Sequence, residues 1–195
     1  FIHMTGMSDS AWQRARDAGA AVSLSVPIEM NMAHGTPPLI KAMQMGLRPS
    51  LSTDVECTLA ADPFMQMRSA MNLQRMLVNA NKLAEPNMPP TGSVPLLTSK
   101  DVLGWATLNG ARDLKLDGKV GSLAPGKEAD IVILDAEAIN VAPLNHVPGA
   151  VVSLMDRTNV ETVIVAGKIR KWKGRLVDVN LERMRRDLDA SRDYL

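Results

Sequence analysis

Through the first 115 residues, short apolar runs alternate with stretches whose apolar residues recur at three- and four-residue spacing; after residue 117 the short runs dominate. Short runs suit buried strands, and the wider spacing suits amphipathic helices. Phe1, Ile2 and His3 read as part of a strand. Ser8 or Asp9 is placed to cap a helix carrying Trp12, Ala15 and Ala18, with Gly19 suited to its end. Residues 21–26 predict a buried strand ended by Pro27, and 28–36 an irregular loop holding Glu29, His34 and Gly35. Pro37 and Pro38 open a helix through Leu39, Ile40, Met43 and Met45, which Gly46 closes. Residues 47–53 predict another strand in spite of Pro49, with Asp54 at its C-terminal end.

Residues 63–80 carry the strongest helical pattern, with Phe64, Met67, Met71 and Val78 on one face and Gln74 interrupting it. Pro86, Pro89, Pro90, Gly92 and Pro95 punctuate 84–97, which predicts a loop or lid. Thr98 or Ser99 can cap a helix running through Trp105, Leu108 and Ala111. Beyond it, 120–123, 129–134, 150–155, 160–165 and 176–179 predict strands separated by turns such as Pro125-Gly126 and Ala166-Gly167-Lys168. Residues 180–194 predict a polar helix. Strand and helix alternate first, as in parallel βα units, and a run of strands follows. The predicted class is α/β, with a boundary near residue 115.

Composition narrows the function. Apolar residues make up 46% of the 195 and charged residues 22%, the balance of a globular chain. A net charge of +1 argues against a nucleic-acid partner. The one basic run, 168–175, is interleaved with Ile169 and Trp172 and reads as a solvated strand and turn. No apolar stretch is long enough to predict a membrane span, and no signal-peptide pattern is read. The single cysteine, Cys57, excludes an internal disulfide and points to a reducing, cytoplasmic setting. With no base nearby in sequence, Cys57 is expected to be a small buried residue. The chain starts on Phe1, already within a strand pattern, and is expected to be a piece of a longer protein.

Parallel βα folds place their chemistry at the C-terminal ends of strands. His3, Ser25 and Asp54 fall at such positions, with Glu29 and His34 following Ser25. Each has a plainer reading: Asp54 as a turn cap, His34 as a turn residue, Glu29 as a solvated side chain, His146 as a loop residue. Three scattered histidines without ligand spacing do not by themselves build a metal site.

Longer motifs add a resemblance. Residues 35–54, GTPPLIKAMQMGLRPSLSTD, resemble the last βα unit of the amidohydrolase superfamily barrel, in the branch of cytosine, guanine and S-adenosylhomocysteine deaminases and triazine hydrolases. FMQMRSAM at 64–71 is similar to the helix that follows. GSLAPGKEADIVILD at 121–135 resembles the family's return from barrel to β-sandwich, and VETVIVAGK at 160–168 its closing hairpin. With Ala106-Thr107 and Asn109-Gly110-Ala111, the resemblance covers nearly the whole chain. It implies a partial TIM-type (β/α)8 barrel over 1–115, part of a small β-sandwich over 116–179 and a C-terminal helix over 180–195.

The resemblance also implies roles. Asp54 matches a metal-ligand Asp that serves as general base, and His3, in IHMTGM, matches a His that orients water or polarises the bond under attack. The implied cofactor is a divalent metal, zinc with iron as the alternative, and the implied partner a small-molecule substrate, with a homodimer admitted. The implied reaction is hydrolysis of a non-peptide C–N bond, deaminating a cyclic amidine or aminated heterocycle. A relative acting on an amide, imide or halogenated ring is the runner-up, and a non-catalytic scaffold or interaction module the alternative from another class. Ser25-Val26-Pro27-Ile28-Glu29-Met30 departs from the Ser-His, Pro and Ser-Asn pattern of many relatives, so Ser25, Glu29 and His34 are expected to meet different substrate groups. Ser52 also replaces the usual Gly. The family's remaining metal ligands are not in this sequence, so the chain alone is expected to be inactive.

Overall fold

The computed structural model describes residues 1–84 and 94–194. Its first half is organised around parallel backbone. Strand β1 (Ser23–Leu24) pairs with β2 (Ser50–Leu51), Ser23 opposite Ser50 and Leu24 opposite Leu51, and Ile2 bridges to Ser23 on the other side. The ladder extends through single bonds: His3 N–H donates to Ser23 O at 2.9 Å, and Ser52 N–H to Leu24 O at 2.9 Å. Both strands are shorter than the apolar runs around them. Pro49 has no N–H to contribute, and Val26 and Pro27 already begin a helix.

Helix α1 (Asp9–Asp17) connects the first two parallel segments. Ser8 caps it by accepting from Ala11 N–H, and Gly19 takes the left-handed conformation just past its end. Helices α2 (Val26–Asn31) and α3 (Leu39–Gln44) connect β1 to β2. Residues 28–31 are therefore helical, not loop. Pro27 in the first turn supplies a fixed φ at a position whose N–H needs no partner, a start signal rather than a stop.

Helix α4 (Pro63–Ala84) buries Phe64, Met67, Ala70, Leu73 and Val78. Gln74, which breaks the apolar stripe, is fully buried and satisfied: its Nε2 donates to Pro95 O at 2.9 Å, and its Oε1 accepts from Leu97 N–H at 3.0 Å. The loop or lid predicted over 84–97 lies largely outside the described residues. The next helix runs as α5 (Ser99–Gly104), a π-helical turn (Trp105–Asn109) and α6 (Gly110–Asp113), entered through a Thr98–Asp101 capping box.

The second half forms a four-stranded antiparallel sheet in the order β3 (Ile131–Leu134), β4 (Val160–Val165), β5 (Lys168–Trp172) and β6 (Arg175–Leu176). The tight Ala166-Gly167 turn, with both residues at positive φ, joins β4 to β5. The basic run is a solvated strand and turn, as its spacing predicts. Two predicted strands are not formed, and of the one predicted over 176–179 only Leu176 is strand. Residues 120–123 bend instead: Gly121 is at φ +85°, outside strand geometry, and lies so close to the helix before it that an added Cβ would sit 2.6 Å from Ala111 Cβ. Residues 150–155 belong to helix α7 (Val147–Ser153) and its end. His146 caps α7 by accepting from Gly149 N–H on Nδ1, Pro148 sits in its first turn, and Arg68 takes its final carbonyls, donating to Val152 O at 3.2 Å and Met155 O at 2.8 Å. A short apolar run cannot by itself distinguish buried strand from buried helix, and these caps decide it. Helix α8 (Leu181–Tyr194) buries none of its residues. The main core gathers Trp12, Leu24, Leu39, Phe64, Met67, Val102, Trp105 and Val152 between the helices. Among the described residues no helix is long and apolar enough to cross a membrane.

Candidate active site

Three parallel segments end on one side, and each delivers a polar residue there. His3 follows Ile2, Ser25 follows Leu24, and Asp54 lies just past Leu51. His3 and Asp54 both adopt left-handed backbone, with φ 65° and 57°, and Met4 does so at 56°. Non-glycine residues populate this region rarely, and where they cluster the surroundings hold them there, a feature common at functional sites. Asp54 N–H donates to Ser52 Oγ at 3.2 Å, so the Ser that replaces the usual Gly helps shape the turn.

The side chains converge on His3. Its Nδ1 lies 3.0 Å from Glu29 Oε1, and its Nε2 lies 3.4 Å from Asp54 Oδ2. The ring of His34 stands edge-on to it, with centroids 6.1 Å apart. Residues far apart in sequence are thus brought into one group. Their accessibility differs sharply: the side chains of His3 and Asp54 are 25% and 31% exposed, whereas that of Glu29 is wholly buried. His34, on the segment after α2, is exposed, and Ser25 is buried.

Glu29 is therefore not a solvated side chain. It sits in the first turn of α2, where Oε1 also accepts the Ser25 N–H at 3.0 Å. That bond ties the start of the helix much as the acidic residue of a capping box does. Glu29 Oε2 and Ser25 Oγ are buried with no hydrogen-bond partner. Sequence reasoning selected these residues but placed Glu29 on a loop, and only Pro27 carried the signal for a helix there. Cys57 differs from expectation: it is exposed, on the turns of the β2–α4 connection rather than in the core.

A zinc ion in a hydrolytic site takes three protein ligands and leaves a position for water. Among the described residues no group of three or more His, Cys, Asp or Glu side chains is placed to hold a metal. Imidazole and carboxylate are suitable donors, but among the described residues their number falls short of a complete metal centre. An apolar cavity of about 680 Å³ lies elsewhere, between α4, the π-helical turn and β3–β4, lined by Phe64, Met67, Leu103, Leu134 and Val160. None of the converging residues lines it.

The amidohydrolase family model matches residues 1–170, and the chain belongs to the amidohydrolase family. Among individual relatives, it is similar to a 5'-deoxyadenosine deaminase of Methanothermobacter thermautotrophicus, 35% identical over 156 residues that make up 80% of this chain and 33% of that protein. It is also similar to a 5-methylthioadenosine/S-adenosylhomocysteine deaminase of Pyrococcus abyssi, 27% identical over 93% of this chain and 40% of that one. Of solved structures, a zinc-bound adenosine deaminase from Xanthomonas campestris superposes with a TM-score of 0.85 at 25% identity, over 99% of this chain and 41% of that chain. Guanine deaminase from E. coli, at 20% identity and a TM-score of 0.70 over 87% of this chain and 38% of that chain, shares the fold. The chain spans about a third to two fifths of the length of these relatives.

Proposed function

We propose that this chain is the C-terminal portion of a metal-dependent hydrolytic deaminase acting on an aminated heterocycle of the adenosine type. The observation that carries the reading is the meeting of His3 and Asp54, 3.4 Å apart at the ends of parallel segments, in a chain of the amidohydrolase family. Residues 1–115 are read as the last units of a (β/α)8 barrel, 116–179 as part of a β-sandwich and 180–195 as a terminal helix. The relatives named as deaminases of 5'-deoxyadenosine, methylthioadenosine and S-adenosylhomocysteine favour a purine nucleoside over an amide, imide or halogenated ring.

In this reading Asp54 is one ligand of a divalent metal, zinc rather than iron, and the remaining ligands come from protein outside this chain. The metal, when bound, lowers the pKa of water towards about 7. Asp54 accepts a proton from the attacking water, and His3 Nε2 orients that water toward the ring carbon. The C–O bond forms, the exocyclic C–N bond breaks, and the amino group departs as ammonia after taking up the proton. One water is consumed and one ammonia released for each amino group replaced by a carbonyl. His34 borders the substrate side directly, while buried Ser25 and Glu29 shape it from behind. A pure scaffold has no need of a left-handed His and Asp facing each other.

The test is ammonia release by the complete, metal-loaded protein from adenosine, 5'-deoxyadenosine, methylthioadenosine and S-adenosylhomocysteine, alongside the isolated chain. Turnover of at least one nucleoside by the complete protein and none by the chain alone is expected. Hydrolysis restricted to amides, or no turnover at all, would overturn the reading.

A further inference from the structure

We infer that Glu29 is a positioning residue: it holds His3 by Nδ1 so that Nε2 is the ring nitrogen facing the reaction, and it does not touch the substrate. This deepens the reading above and rests on it for the identity of the reaction, though not for the contact itself. The first support is burial. Glu29 is fully buried, and Oε2, its only oxygen without a partner, is sealed from solvent. A substrate arriving from solvent meets His3 and Asp54, which are partly exposed, before it can reach any atom of Glu29.

The second support is hydrogen-bond polarity. Oε1 already accepts from Ser25 N–H at 3.0 Å, so it acts as an acceptor, and the donor that suits it at 3.0 Å on the other side is the Nδ1–H of His3. With Nδ1 engaged, the ring is held in one orientation and Nε2 points at Asp54. A carboxylate gripping one imidazole nitrogen while the other does the chemistry is an arrangement that fixes both tautomer and ring plane. The third support is rigidity. Glu29 stands on α2, pinned to the helix start by the same Ser25 N–H, and His3 directly follows the Ile2–Ser23 bridge. The carboxylate thus ties the end of one parallel segment to the helix that follows the next.

The experiment uses the complete protein and two readouts. In one, proton NMR of nitrogen-15 histidine-labelled protein follows the His3 Nδ1–H, identified by its loss in His3→Gln. A downfield, hydrogen-bonded Nδ1–H is expected in the parent, absent in Glu29→Ala and shifted upfield in Glu29→Gln. In the other, steady-state kinetics on the best nucleoside are expected to show kcat falling on the order of 10- to 100-fold in Glu29→Ala with KM nearly unchanged, and partial rescue in Glu29→Gln, whose amide oxygen still accepts. The near-isosteric Gln variant carries the test if the Ala variant does not fold. A raised KM or altered substrate preference with kcat intact would overturn the inference, since that is the behaviour of a substrate contact. So would an Nδ1–H resonance unmoved in both variants. If the parent protein turns over no nucleoside, the deaminase reading fails, while the NMR readout still decides whether Glu29 holds His3.

Discussion

The antiparallel sheet and the short parallel pair hold their residues in place by different means. In the sheet, β4 is paired to β3 along one side and to β5 along the other, with Val163 and Ile164 paired on both, and side chains contribute mainly at its margins. Asn159, at the foot of β4, is such a margin: its side chain is bonded to Asn140 and to the backbone of Asp135 and Asp156. In the parallel pair, two residues per strand carry the register, and the segment ends are joined by side chains, His3 to Glu29 and His3 to Asp54. Backbone ladders make the sheet tolerant of side-chain change, whereas the site depends on the groups that would react. Truncation should therefore cost stability at the sheet margin and chemistry at the strand ends.

The sharpest way to break this contrast is at His3. His3→Ala in the complete protein is expected to lower kcat by about 10²- to 10⁴-fold with metal content retained, as measured by elemental analysis beside kinetics. Loss of metal instead would make His3 a ligand. Next in size is Asn159→Ala, which removes a buried side chain bonded to Asn140, Asp135 and Asp156 and is expected to cost roughly 1–3 kcal/mol in denaturant unfolding, with kcat of the folded protein unchanged. Thr98→Ala removes the capping box of α5 and is expected to cost about 1 kcal/mol in the same measurement.

The smallest effect is pH-dependent. Burial pushes the Asp113 carboxyl above its ordinary value, outweighing its hydrogen bond with Ser50. The folded state then holds this proton more tightly than the unfolded chain. The contribution is most favourable below the ordinary Asp pKa and is lost as pH rises through the folded value. Asp113→Asn is expected to flatten the fall in melting temperature as pH rises above the ordinary Asp range. A parallel pair of melting curves for parent and variant would contradict it.

The difference between regions also explains what was legible in the sequence. Helices α1, α3 and α5 announce themselves through Ser8, Gly46 and Thr98, whose capping roles depend on near neighbours in the chain. The β4–β5 hairpin is marked by Ala166-Gly167 in the same way. Helix α7 was hidden because its apolar run suits either element, and Arg68, which binds its last carbonyls, comes from distant α4. The five site residues could be nominated from strand-end positions and family motifs. Their joining could not, because the Glu29 contact depends on a helix that Pro27 alone foretold and on a left-handed turn at His3 that no local residue type demands.

The most direct test of the central claim is the metal content and ammonia release of Asp54→Asn in the complete protein, measured on one preparation beside the parent. Weakened metal retention together with abolished turnover of a nucleoside that the parent deaminates is the expected result. Near-normal turnover with full metal occupancy would remove Asp54 from the chemistry, and with it the claim that these strand ends form part of a hydrolytic site.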